Sequence, residues 1–177
     1  MKLIILDRDG VINFDSAQFI KHPDEWKPIP GSLEAIARLN QAGYRVAVAS
    51  NQSGVARGLF DMATLNAIND KMHKMLWQVG GRIDALFYCP HAADSGCNCR
   101  KPKTGLLEEI AQRFSMGLKG VPSVGDSLRD LTASAAVGAQ PILVLTGKGQ
   151  KTFESGGLPE GTRVYADLAE AVSAILE

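Results

Sequence analysis

The chain is predicted to be an α/β domain built on a doubly wound parallel sheet, and three observations carry that expectation. Short apolar, β-rich runs alternate with segments of helical periodicity along its whole length, the pattern of βαβ units whose helices cover both faces of a sheet. The first run, Leu3 to Leu6, is continuously apolar, as a central strand buried on both faces must be. The runs expected at the centre end in polar groups, and the carboxyl ends of parallel strands are where such sheets hold ligands.

The elements follow in order. After the first strand, Leu33, Ile36 and Leu39 form one stripe of a helix over Ser32 to Asn40, which stops near Gly43 before the strand Tyr44 to Ala49. Met62, Leu65, Ile68, Met72, Met75 and Val79 recur at helical steps between the cap candidate Asp61 and the stop at Gly80 and Gly81, so this Met-rich stripe is expected to be core. Strand Ile83 to Tyr88, helix Thr104 to Phe114, strand Val121 to Gly125, helix Leu128 to Val137 and strand Pro141 to Leu145 continue the alternation. Thr162 to Tyr165 and a helix from Asp167 end it. With 177 residues, the expectation is one domain, residues 1–177, able to bury roughly 70% of its unfolded surface. No inserted segment is long enough for a separate cap domain, so loops must hold any substrate.

Composition excludes several classes. Nineteen basic and 19 acidic residues leave no net field to attract nucleic acid. No apolar stretch reaches the roughly 18 to 20 residues needed to span a bilayer, and the first residues read as a strand rather than a signal. The expectation is a cytoplasmic protein with no membrane or nucleic-acid partner.

Chemistry concentrates at the strand ends. Asp7-Arg8-Asp9-Gly10-Val11 follows the first strand; Asp7 and Asp9 would share a side and could converge on one cation or one phosphate. The second strand ends Ser50-Asn51-Gln52-Ser53-Gly54, where the Ser50 hydroxyl and turn N–H groups suit a phosphoryl oxygen. Gly125-Asp126-Ser127-Leu128-Arg129-Asp130 offers Asp126 either as a magnesium ligand or as a helix N-cap. Gly147-Lys148-Gly149 lacks the spacing of a nucleotide-binding P-loop and reads as a loop near the site. His22 and His73 have no partner at ligand spacing and read as surface or structural.

All three cysteines lie between Cys89 and Cys99. Cys89, His91, Cys97 and Cys99 supply three sulfurs and one imidazole nitrogen, the closed ligand set of a structural zinc site, with buried free thiols as the competing reading. Arg100 and Lys101 leave this loop, and Lys101 beside Asp7 could neutralise a transferring phosphoryl group; Lys103 is its rival.

Taken together, these segments resemble the haloacid dehalogenase superfamily of phosphotransferases, over nearly the whole chain and in the expected order. Its motifs stand here as Asp7-Arg8-Asp9-Gly10-Val11, Ser50 with Asn51, Lys101, and Gly125-Asp126 with Asp130. The zinc loop and the segment Ser50-Asn51-Gln52-Ser53-Gly54-Val55-Ala56-Arg57-Gly58 are similar to the D-glycero-D-manno-heptose-1,7-bisphosphate 7-phosphatase family, and histidinol-phosphate phosphatases share both features. One departure is that only five residues separate His91 from Cys97.

The resemblance implies a Rossmann-like, HAD-like sheet and an aspartyl-phosphate mechanism. Asp7 would be the nucleophile and Asp9 the general acid and base; Mg²⁺ would be held by Asp7, the Asp9 carbonyl and Asp126, and Ser50 and Lys101 would hold the phosphoryl oxygens. Asp130 would support Lys101 or the metal shell. Asp15, Gln18, Asn51, Gln52, Ser53 and Arg100 would meet the sugar and its second phosphate. The resemblance further implies a small phosphorylated sugar as substrate and a place in lipopolysaccharide-core precursor biosynthesis; the absence of a cap domain favours a monomer. A non-catalytic phosphate-binding module would share the fold but would need neither Asp7 nor Asp9.

Overall fold

The computed structural model describes residues 1–177. Six strands form one sheet: β1 (Lys2–Leu6), β2 (Tyr44–Asn51), β3 (Ala85–Cys89), β4 (Pro122–Gly125), β5 (Gln140–Val144) and β6 (Arg163–Tyr165). Every neighbouring pair is parallel, in the order β3-β2-β1-β4-β5-β6. β1 lies at the centre, with Leu6 opposite both Val48 and Val124. The winding direction reverses between β1 and β4, so a crevice opens at their carboxyl ends. Asp7 and Asp126 follow those two strands directly.

Six helices flank the sheet: α1 (Ser32–Gln41), α2 (Met62–Gln78), α3 (Gly105–Phe114), α4 (Leu128–Ala136), α5 (Gly149–Ser155) and α6 (Leu168–Leu176). Strand alternation divides the core in two. Ile4 and Leu6 pack with Ile36, Ile68, Met72 and Val172 from α1, α2 and α6, while Leu3 and Ile5 pack with Leu106, Leu107 and Ile110 of α3. Both faces of β1 are therefore sealed, each fully buried Leu or Ile contributing about 1.5–3 kcal/mol of transfer free energy.

Local signals start the helices where the sequence places them. Asp61 Oδ1 accepts the Thr64 N–H at 2.8 Å, and Asp167 Oδ1 accepts the Glu170 N–H at 2.8 Å. The excursion from β1 to α1 contains one 3-10 turn, Pro23–Glu25, and is pinned by fully buried Trp26 and by Lys71 Nζ, which donates to the Pro23 and Trp26 carbonyls. His22 caps that turn by accepting the Asp24 N–H, and His73 is exposed on α2.

Three details differ from the sequence reading. Met62 and Val79, at the two ends of the expected stripe, are exposed, because only the middle of α2 lies against the sheet. β3 starts at Ala85 rather than Ile83, since Asp84 turns back to accept the Val46 N–H at 2.8 Å. The segment after β5 forms α5, a helix too short and polar to show an apolar period.

Candidate active site

One cavity of about 260 Å³ opens over the carboxyl ends of β1, β2 and β4. Ala17 and Phe19 are its only apolar lining residues. Its acids are Asp7, Asp9, Asp15, Asp126 and Asp130, and its bases Arg57, Arg100, Lys101, Arg129 and Lys148.

The acids gather at the reversal between β1 and β4. The Asp7 N–H donates to the Val124 carbonyl at 2.9 Å, carrying the β1–β4 ladder one residue past the strand and fixing the Asp7 backbone. Carboxylate oxygens of Asp7, Asp126 and Asp130 all lie within 4.8 Å of one another. Gly10, at φ +86°, and Gly147 press their backbones against Asp126; a Cβ on either would overlap Asp126 Oδ2. Lys148 N–H donates to that same oxygen at 2.9 Å, and Thr146 Oγ1 donates to the Gly10 carbonyl at 2.7 Å. The Gly147-Lys148-Gly149 segment thus forms one wall of the acid cluster. Asp126 does not cap α4; that role falls to Ser127 and Asp130, which form a capping box.

Asp130 has both carboxylate oxygens engaged by protein donors. Its Oδ2 accepts the N–H groups of Asp126 and Ser127 at 3.1 Å each and the Ser127 hydroxyl at 2.9 Å, and its Oδ1 pairs with Lys101 Nζ at 2.6 Å. Lys101 Nζ also meets Asp7 Oδ1 at 3.2 Å and donates to the Ala49 carbonyl at 2.7 Å. Asn51 clamps the Lys101 backbone from both sides, accepting its N–H at 3.0 Å and donating to its carbonyl at 3.2 Å. Lys103 is exposed and bonds the Cys97 carbonyl, which removes it as a rival.

The electrostatics follow from this crowding. Burial, then the Asp130 charge, pushes the Asp7 carboxyl well above its ordinary range against the opposing pull of Lys101. Burial and Asp130 raise Asp126 to about 7. Burial would raise Asp130 too, but Lys101 outweighs it and holds Asp130 low, while Asp130 and Asp7 raise Lys101. A divalent cation between Asp7 and Asp126 would relieve this repulsion, and an all-oxygen donor set in a carboxylate cluster suits Mg²⁺. The residues fit that ion.

Asp9 is held differently. Its carboxylate takes Arg8 Nε at 2.9 Å, Asn13 Nδ2 at 3.0 Å and Gln52 Nε2 at 3.2 Å. Arg8 is fully buried on the α2 side, where its Nη1 donates to Asn69 Oδ1 at 2.9 Å. Burial opposes ionisation of Asp9, yet Arg8 and the neutral donors bring its pKa below the ordinary value.

Arg57, Arg100 and Arg129 line the same cavity. Arg100 Nη1 is buried without a partner, and burial, then the charge of Arg129, disfavours its cationic form. A guanidinium cluster without a protein anion is a receptor for one. Arg57 also stacks over Phe19, 5.4 Å from the ring centroid, and Lys148 Nζ lies 3.8 Å from Asp15.

Of the residues expected to meet substrate, Asp15, Asn51, Ser53, Arg100 and Lys101 line the cavity. Gln18 does not: it is exposed on the loop surface, where its N–H donates to Ser16 Oγ. Ser50 and Gln52 do not line it either: they are buried at 3% and 4% exposure and bond each other at 2.7 Å. Arg57, Arg129 and Lys148 lie inside segments 50–58, 125–130 and 147–149, and the sequence assigns them no site role.

Beside the site, the ligand atoms of Cys89, His91, Cys97 and Cys99 lie within 4.8 Å of one another. Cys89 Sγ is 3.6 Å from Cys97 Sγ, and His91 Nδ1 is 3.2 Å from Cys99 Sγ. The Cys97 thiol falls to about 5 beside the Ser95 hydroxyl, while burial and its sulfur neighbours push Cys99 to about 12. Three sulfurs and one imidazole at this separation fit tetrahedral zinc.

The comparisons with known proteins agree with this geometry. Residues 2–128 match the family model described as polynucleotide kinase 3 phosphatase, and residues 98–171 match the HAD-hydrolase-like model. D-glycero-beta-D-manno-heptose-1,7-bisphosphate 7-phosphatase from Bordetella bronchiseptica is 62% identical over 100% of this chain and 99% of its own length. The enzyme of that name from Pseudomonas aeruginosa is 53% identical over 99% and 98%. The crystal structure of the B. bronchiseptica D,D-heptose 1,7-bisphosphate phosphatase, complexed with magnesium and phosphate, superposes with a TM-score of 0.98 at 62% identity over 99% of this chain and 98% of that one. That of Burkholderia thailandensis gives 0.81 at 55% over 100% and 99%. The chain belongs to the D-glycero-D-manno-heptose-1,7-bisphosphate 7-phosphatase family of the haloacid dehalogenase superfamily.

Proposed function

We propose that this protein is a Mg²⁺-dependent phosphatase that removes the 7-phosphate of D-glycero-β-D-manno-heptose 1,7-bisphosphate, the β anomer following the names of its relatives. The observation that carries the reading is one small cavity lined both by a carboxylate cluster with Lys101 and by three guanidiniums, Arg57, Arg100 and Arg129. A molecule with a phosphate at each end fits both. Histidinol phosphate carries one phosphate and a cationic amine, which the guanidiniums would repel.

Asp9, ionised in the resting site, takes up one proton from solvent as substrate binds; Asp7 attacks phosphorus, the Asp7–phosphorus bond forms as the bond to the sugar 7-oxygen breaks, and that oxygen takes the proton from Asp9. Water then attacks the aspartyl phosphate, Asp9 accepts its proton, and phosphate leaves with Asp7 restored. Lys101, fixed by Asp130 and Asn51, neutralises equatorial charge, and Ser50 donates to a phosphoryl oxygen. Mg²⁺, held by Asp7, the Asp9 carbonyl and Asp126, would supply Lewis-acid stabilisation of the phosphoryl group. Arg100, with Arg57 and Arg129, binds the 1-phosphate.

Cys89, His91, Cys97 and Cys99 would hold Zn²⁺, which would order the loop that delivers Arg100 and Lys101. No helix is long and apolar enough to cross a membrane; we place the enzyme in the cytoplasm as a monomer without a nucleic-acid partner, because its bases converge on a pocket and not along a track.

The test is phosphate release with Mg²⁺ from both anomers of heptose 1,7-bisphosphate and from histidinol phosphate. A kcat/KM preference of about a hundredfold for the β bisphosphate supports the reading. Preference for histidinol phosphate overturns it.

A further inference from the structure

Gln52 sits in the segment expected to touch substrate, yet its side chain is 4% exposed and does not line the cavity. Its Nε2 carries two hydrogens, and two acceptors receive them: Ser50 Oγ at 2.7 Å and Asp9 Oδ2 at 3.2 Å. In the resting site, with Asp9 ionised beside Arg8, the amide orientation is dictated by chemistry, since the reverse would set Oε1 against a carboxylate that only accepts. The Gln52 backbone is pinned as well, its N–H donating to the Cys89 carbonyl at 2.7 Å.

We propose that Gln52 is a positioning residue that sets the direction of the Ser50 hydroxyl and ties it to Asp9. The inference rests on the phosphatase reading of Asp7, Asp9 and Ser50. A serine hydroxyl has one hydrogen and rotates freely unless a partner fixes it. With a lone pair of Ser50 Oγ occupied by the Gln52 N–H, the hydroxyl hydrogen points away from Gln52, and it donates to no protein acceptor. It is left for a phosphoryl oxygen. The second Nε2 hydrogen completes the set of donors on Asp9, alongside Arg8 and Asn13. One buried amide therefore sets the group that holds the phosphoryl oxygen and the group that moves the proton in register.

A double-mutant cycle tests this, using full-length enzyme saturated with Mg²⁺ and four proteins: the parent, Gln52→Leu, Ser50→Ala and the pair. Each is assayed with heptose 1,7-bisphosphate and with a simple aryl phosphate. Gln52→Leu is expected to lower kcat about tenfold or more on both substrates with KM changing less than about threefold, because the donor it orients acts on the transferring group. In the Ser50→Ala background the same substitution should cost at least about threefold less, the signature of action through Ser50. Thermal midpoint and zinc content report folding; if Gln52→Leu is unfolded, Gln52→Met enters the same cycle. A raised KM for the bisphosphate with unchanged kcat would make Gln52 a substrate contact and overturn the proposal, as would additive losses. If the heptose bisphosphate is no better a substrate than the aryl phosphate while the coupling persists, the substrate assignment fails and this inference stands.

Discussion

Lys101 stands closer to Asp130 than to Asp7: its Nζ is 2.6 Å from Asp130 Oδ1 and 3.2 Å from Asp7 Oδ1. The ammonium is thus anchored to the first turn of α4 and reaches Asp7 from there, with the Ala49 carbonyl as a third acceptor. Asp130 in turn is fixed by the capping box it forms with Ser127. The start of a helix and the charge balance of the site are one structure.

Asp130→Asn is therefore expected to harm both. Breaking a buried pair by removing one partner costs about 3–5 kcal/mol, so the thermal midpoint should fall and kcat should drop at least about tenfold as Lys101 loses its anchor. Calorimetry and steady-state kinetics on the same preparation check this; unchanged stability would show that the pair carries no net energy.

Asp7→Asn should abolish turnover without destabilising the metal-free protein. The substitution removes the nucleophile, and it also removes a buried carboxyl that burial and Asp130 make costly to ionise. Residual activity above about one thousandth of the parent would remove Asp7 from the nucleophile role, given how slow uncatalysed phosphate-monoester hydrolysis is.

Asp126 links pH to metal. Its pKa is raised to about 7 in the folded protein, above the unfolded carboxyl near 3.9. The folded state binds more protons between those values, so Asp126 makes the metal-free protein lose stability as pH rises from about 4 to about 7. Mg²⁺ reverses this by favouring the ionised form. The rise in thermal midpoint on adding Mg²⁺ should be larger at pH 8 than at pH 5; an equal rise would separate Asp126 from the metal.

Chelation of the zinc loop should unfold it. Residues 90–104 contain no helix or strand, and structural zinc contributes on the order of 10 kcal/mol to folding. Cys99→Ala should lower the zinc content from one per chain, reduce the midpoint, and cut activity by displacing Arg100 and Lys101. Full zinc content in the variant would exclude Cys99 as a ligand.

Arg129→Ala should raise KM for the bisphosphate about tenfold, as expected for one partly desolvated charge-assisted contact, and leave an aryl phosphate almost unaffected. Equal effects on both would move Arg129 from the second phosphate to the reacting one.

Much of this protein was legible from residues alone. The continuous apolarity of Leu3 to Leu6 required a central strand, and the alternation of runs required a parallel sheet. Type and spacing offered Asp7, Asp126 and the Cys/His set as candidates, because metal and phosphoryl chemistry admit few donor atoms, and the fold brings the ligand atoms of each set within 4.8 Å of one another. What chain order could not contain was which groups meet across the sheet. Lys101 and Asp130 are 29 positions apart in sequence and form a 2.6 Å pair only because α3 and α4 lie on the same face. Gln52 reads as a polar loop residue beside a motif; the fold buries it between Ser50 and Asp9, since the strand end it follows turns inward toward Cys89. Arg57 and Arg100 come from two separate loops and Arg129 from the first turn of α4, and the fold brings all three to one cavity. Periodicity and donor chemistry are local properties and survive in one dimension. Pairing between distant charges is set by packing, and that is decided only when the sheet closes.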